Sequence, residues 1–106
     1  MSDNMKDRQK SFENKFAHDA ELQFKVEARR NRLLGEWAGE KLGKSGDALR
    51  AYATEVVKSD FEEAGDEDVF RKVSGDLEGK ADEAEIRAKM SELRETAKQQ
   101  VMTELS

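Results

Sequence analysis

The stretch Phe16–Ala38, FAHDAELQFKVEARRNRLLGEWA, decides the fold, because it reads as one uninterrupted helical pattern with no proline. At about 3.6 residues per turn, Glu21, Lys25, Arg29, Arg32 and Glu36 fall on a single polar stripe. Leu22, Val26, Leu33 and Trp37 lie on one flank of that stripe, and Ala20, Phe24, Leu34 and Ala38 occupy the rest of the circumference. An apolar surface this wide needs more than one partner helix, which places the stretch at the centre of a bundle.

Working outward toward the C-terminus, this helix is expected to end near Leu42, with Gly39 and Gly43 bracketing a basic loop, GEKLGKSG. Ala38–Ser45 fits a relaxed phosphate-loop pattern, but a working loop of that kind follows a strand, and here it follows a helix. A nucleotide-hydrolysing enzyme is therefore set aside. A weaker reading survives: Gly43, Lys44 and Ser45 precede a helix N-terminus, where free amides and the helix dipole favour anions. Asp47 is expected to cap that next helix, which carries Leu49, Tyr52, Ala53, Val56 and Phe61 on its apolar face and runs to about Ala64.

An acidic corner follows, with Asp60, Glu62, Glu63, Asp66, Glu67 and Asp68. It lacks calcium-loop spacing, and so reads as a solvated turn with no metal site. A short third helix offers Val69, Phe70, Val73 and Leu77 and ends near Gly79. Asp82 and Glu85 form a capping-box start for a last helix, whose narrow stripe is Ile86, Met90, Leu93, Ala97 and Val101. No segment reads as a strand. The expected fold is all-α: a four-helix bundle over residues 19–106, preceded by a flexible N-terminal arm over residues 1–18.

Toward the N-terminus the chain turns polar, with Phe12 and Phe16 as its large anchors. A short polar helix is marginal alone in water. Phe12, Phe16, Ala20 and Phe24 nevertheless recur every four residues, so the helix can extend backward when a partner supplies a surface. His18, the one histidine, is either a plain surface residue or a pH handle on that docking. Arg30 stands out because it falls on the apolar side of the central helix, between Trp37 and Leu34. Either its stem covers the core while its head reaches water or an acid, or its guanidinium faces a cleft suited to phosphate or carboxylate.

Composition narrows the functional classes. Leu, Ile, Val and Phe make up just under a fifth of the 106 residues, at the margin of disorder, while Ala, Glu, Lys, Leu and Arg make up about half, which favours long helices. With no cysteine and one histidine, disulfides, thiol catalysis and the usual zinc sites are excluded. No catalytic residue set can be assembled. A net charge of −5 argues against nucleic-acid binding, and no apolar run approaches the roughly 20 residues a membrane span requires.

Phe16–Phe24, Ala28–Asn31, Leu33–Ala38, Gly43-Lys44, Tyr52-Ala53, Val56–Lys58 and Asp60–Gly65 together resemble the zeta subunit of alphaproteobacterial F-type ATP synthase. The resemblance is close over residues 12–77 and compositional beyond, and its specificity comes from length rather than from any short motif. It implies a non-catalytic inhibitor of ATP hydrolysis whose N-terminal arm, with Phe12, Phe16 and His18, enters a catalytic interface of the head formed by the alpha and beta subunits. It implies a cytoplasmic location, peripheral to the inner membrane through the synthase. No cofactor is required, but regulatory ADP or ATP is implied, for which Arg30 and the loop residues Gly43, Lys44 and Ser45 are the candidates. The alternative is a helical nucleotide-binding or scaffold protein unrelated to the ATPase.

Overall fold

The computed structural model describes residues 4–60 and 66–105, with side chains from residue 9 onward. Among these residues there are five helices and no strand: α1 (Asn4–His18), α2 (Ala20–Lys41), α3 (Gly46–Ser59), α4 (Glu67–Asp76) and α5 (Glu83–Leu105). The all-α expectation holds, and the helix count differs from the expected four-helix bundle. Four helices follow residue 19 as expected, and the segment read as an arm supplies a fifth.

The break between α1 and α2 falls inside the stretch that reads as continuous. Asp19 takes an extended conformation (φ −111°, ψ 103°), and its carboxylate accepts from the backbone amides of Glu21 and Leu22 at 3.0 and 3.2 Å. This is an N-cap, which satisfies amides that a helix start leaves bare. Periodicity is blind to such a break because the apolar spacing continues across it.

α2 is the axis of the molecule and touches α1, α3, α4 and α5. Its fully buried Val26, Leu34 and Ala38 face these partners, while Glu21, Lys25 and Arg32 of the polar stripe are exposed. α5 runs antiparallel to it, since Arg29 reaches Gln100 and Glu104 at one end and Lys41 reaches Glu85 at the other. α3 folds back against α2 at close range. A Cβ on Gly35 would lie 2.7 Å from the Ala53 Cα, and one on Gly39 would lie 2.5 Å from Leu49 Cδ1. Gly39 is thus a buried contact inside α2, not the edge of the loop. The turn to α3 begins instead at Gly43, whose φ of +81° suits glycine.

Other boundaries differ in detail. Ser45, not Asp47, occupies the N-cap of α3, and Asp47 pairs with Arg50. α3 closes at Asp60, and the expected continuation through Phe61 to Gly65, with Glu62 and Glu63, lies outside the described residues. Asp82 does cap α5, accepting from the Glu85 amide at 2.8 Å.

The core has two parts. The larger gathers Leu34, Tyr52, Val56, Phe70, Leu77 and Ile86 among others, with Trp37 packed against it between the ammonium groups of Lys41 and Lys89, 5.4 and 5.7 Å from the indole. The smaller comprises Phe12, Leu22, Val26, Ala97 and Val101, with Phe16, Leu33 and Met102 alongside. Phe12 of α1 is therefore a core residue.

Candidate functional site

Two regions gather the side chains that chemistry would use. The first is a cleft of about 250 Å³ lined by Arg30, Asp66, Arg87, Met90, Ser91 and Arg94. Arg30 is only 1% exposed, and its guanidinium donates to Asp66 at 2.9 Å through one terminal nitrogen and to the Asn31 side-chain oxygen at 2.7 Å through Nε. The first reading of Arg30 from sequence describes it, since its stem is in the core and its head meets an acid, Asp66, at the wall of the cleft. The Asp66 carboxyl is held below the usual range, chiefly by the hydrogen bond from Arg30, against a smaller upward push from burial. Asp66 is thus tied to Arg30 while its side chain stays 43% exposed, so it is a paired member of the acidic corner and not a free one.

Asp60 moves the other way. Burial pushes its carboxyl up, more than the Asn31 amide and Arg30 pull it down. The Asn31 Nδ2 atom is itself buried with no acceptor in good hydrogen-bond geometry among the described residues. Arg87 completes the cleft on the α5 side, where it stacks 3.7 Å from the Phe70 ring centroid and grips Glu67 with two nitrogens at 3.2 Å. Three guanidinium groups thus line one cleft, Arg30 held by Asp66 and Arg87 by Glu67, with Arg94 beside them.

The second region is the face where α1 meets the body. Phe12 is 7% exposed, and its ring stacks on that of Phe16 with centroids 5.9 Å apart. Phe16 is half-buried and lies beneath Lys98 and Arg94, whose charged groups stand 4.9 and 5.8 Å from its ring. Lys98 also pairs with Glu13 at 3.1 Å, and Gln23 donates to the Phe16 carbonyl at 2.8 Å. His18 is exposed on the last turn of α1. Arg94 belongs to both regions, lining the cleft and reaching Phe16.

The loop candidates sit elsewhere. Gly43, Lys44 and Ser45 are exposed between α2 and α3, roughly 20 Å along the helix axis from Arg30 at the usual helical rise. The amides of Gly43 and Lys44 donate to the carbonyls of Glu40 and Gly39 at 2.9 Å, closing the end of α2. The Lys44 ammonium stands 6.0 Å from the Tyr52 ring. Tyr52 in turn donates to Asp76 at 2.8 Å, and burial with that bond pushes its hydroxyl well above the usual tyrosine range.

Sequence reasoning missed Arg87, Arg94 and Asp66 as companions of Arg30. Arg87 and Arg94 share a face of α5 by their seven-residue spacing, but their convergence on Arg30 depends on how α5 is set against α2. No run of residues encodes that register locally.

The described residues thus make a small all-α domain, with an N-terminal helix set off by a cap and an arginine-lined cleft. The chain belongs to the ATPase inhibitor subunit zeta family, whose model matches residues 1–100. It is also similar to a protein solved by solution NMR, with 65% sequence identity and a TM-score of 0.73 over 78% of this chain and 98% of that one. No curated protein matches it.

Proposed function

We propose that this regulatory ATPase inhibitor blocks hydrolysis by F-type ATP synthase by inserting residues 1–18 into a catalytic interface between the alpha and beta subunits of the head. The observation that carries the reading is the family match, which begins at residue 1 and so takes in the arm along with the body. A helix set off from the body by the cap at Asp19 suits a segment that must re-orient. Once wedged, the arm holds one nucleotide site in a conformation that rotation has to change, and its affinity there sets the inhibition. Residues 19–106 act as the handle. Among the described residues no helix is long and apolar enough to cross a membrane, in keeping with a cytoplasmic protein held at the inner membrane through the synthase.

Titrating ATP hydrolysis by a purified alphaproteobacterial ATPase head with the full chain and with residues 19–106 alone tests this. Inhibition by the full chain only is the expected result. Equal inhibition by both would move the activity into the body, and inhibition by neither would overturn the reading.

The shared position of Arg94 supports a second element, regulation by ADP or ATP. A phosphate in the cleft would draw on Arg30, Arg87 and Arg94, and so on a side chain that also covers Phe16. The loop at Gly43–Ser45 is the less favoured site because two of its amides are already bonded. On titration with ADP, the largest amide shifts are expected around Arg30, Arg87 and Arg94. Shifts confined to residues 43–46 would place the nucleotide on the loop instead.

A further inference from the structure

The residues that read as anchors for a partner are already in use within the chain. Phe12 is buried in the smaller core, its ring stacked on Phe16, and Phe16 lies under Lys98 and Arg94 of α5. Glu13 is paired with Lys98. Gln23 of α2 holds the Phe16 carbonyl, which α1 cannot satisfy within its own last turn.

We infer that the face formed by the first half of α2 and the last half of α5 is an autoinhibitory dock for the arm, competing with the ATPase for Phe12 and Phe16. This rests on the arm being the inhibitory element, as proposed above. It adds that the free protein is held in a closed form, and that the arm must leave Lys98 and the Leu22–Val26 surface before it can inhibit.

Three features make the dock a place the arm can leave. The described part of α1 offers only Phe12 and Phe16 as large apolar side chains, so the contact is small. Its ionic component is partly open to water, with the Glu13 side chain 47% exposed and that of Lys98 15%. The joint at Asp19 is a capped, extended residue, so α2 keeps its own start whether or not α1 lies against it. Where only the released fraction of an inhibitor binds, its apparent dissociation constant is the intrinsic one divided by that fraction. Weakening the dock from the body side therefore strengthens inhibition without altering the arm.

Lys98→Glu is the variant to make in the full-length chain. It sets a carboxylate against Glu13 and removes the nearer of the two cations over Phe16. From the size of one partly exposed ion pair and one cation–π contact, the half-inhibitory concentration is expected to fall about three- to tenfold, with faster amide exchange over residues 9–18. Since the chain has no cysteine, a second measurement clamps the dock: Glu13→Cys and Lys98→Cys are joined by a short cleavable bis-maleimide. The clamped protein is expected to lose inhibition and regain it on cleavage. Equal inhibition by clamped and cleaved forms, or an unchanged half-inhibitory concentration and exchange rate in Lys98→Glu, would overturn the dock. If the unmodified chain itself fails to inhibit, the proposed inhibitory function fails with it, and if residues 19–106 alone inhibit equally, the assignment of the arm fails.

Discussion

At the scale of single residues, Arg30 and Asp66 carry the most consequence, because one is sealed in the core and the other is its link to solvent. Removing Asp66 leaves a buried guanidinium bonded only to Asn31 among the described residues. With the carboxylate side chain 43% exposed, part of that cost is screened by water, and Asp66→Ala is expected to cost about 1–2 kcal/mol in urea unfolding. The depressed pKa of Asp66 gives a matching pH dependence. Its stabilisation is complete above the unfolded carboxylate value of about 4 and drains away as pH falls through the lower folded value. Asp60, pushed up by burial, opposes this, since its protonated form suits the fold better. Asp66→Asn should therefore flatten the stability profile below about pH 4, as followed by circular dichroism.

Two glycines of α2 show at the scale of elements what a helical wheel does and does not disclose. Periodicity was enough to identify α2 as the axis, and to assign Val69, Phe70, Val73, Ile86, Ala97 and Val101 to the core, because burial follows the apolar stripe whichever helix covers it. It could not show that Gly35 and Gly39 are where α3 comes closest, since a missing side chain adds nothing to a stripe. The same limit hid the cap at Asp19 and the pairing of Arg30 with Asp66, both of which depend on backbone path and inter-helix register.

The close approach predicts an ordered series. Gly35→Ala would press its Cβ against the Ala53 backbone, which cannot rotate aside, and overpacking of about 1–3 kcal/mol should exceed the helix-propensity gain of about 1 kcal/mol. Gly39→Ala meets the tip of Leu49, which can turn away, so its loss should be smaller. Gly75→Ala in α4 has open space around it and should stabilise by about 0.5–1 kcal/mol. Thermal unfolding of the three variants would give that order, and a stabilising Gly35→Ala would show that α2 and α3 can separate freely.

Over the whole molecule, the two cores divide the labour. The larger draws its buried residues from α2, α3, α4 and α5 together with Leu77, and contains nothing of α1. The smaller contains one buried α1 side chain, Phe12. Burial of a phenylalanine contributes roughly 1.5–3 kcal/mol at most, against which stands the cost of ordering the segment that carries it. The arm is thus attached by a small net free energy while the body stands on its own packing, a division suited to a segment exchanged between two surfaces. The inhibitor family was legible in the sequence through resemblance alone. The arrangement of the arm was not, because a pair of phenylalanines four residues apart describes a binding face without saying whose.

Trp37 gives this division an optical signature. It is the only tryptophan of the chain, and it sits against the larger core between Lys41 and Lys89. Its emission should therefore follow melting of the body and remain dark to the departure of Phe12. A fluorescence trace and an exchange measurement on residues 9–18, taken on one sample, would watch two different events. Light from the indole would report whether the handle is intact, and the amides of α1 would report whether it is loaded.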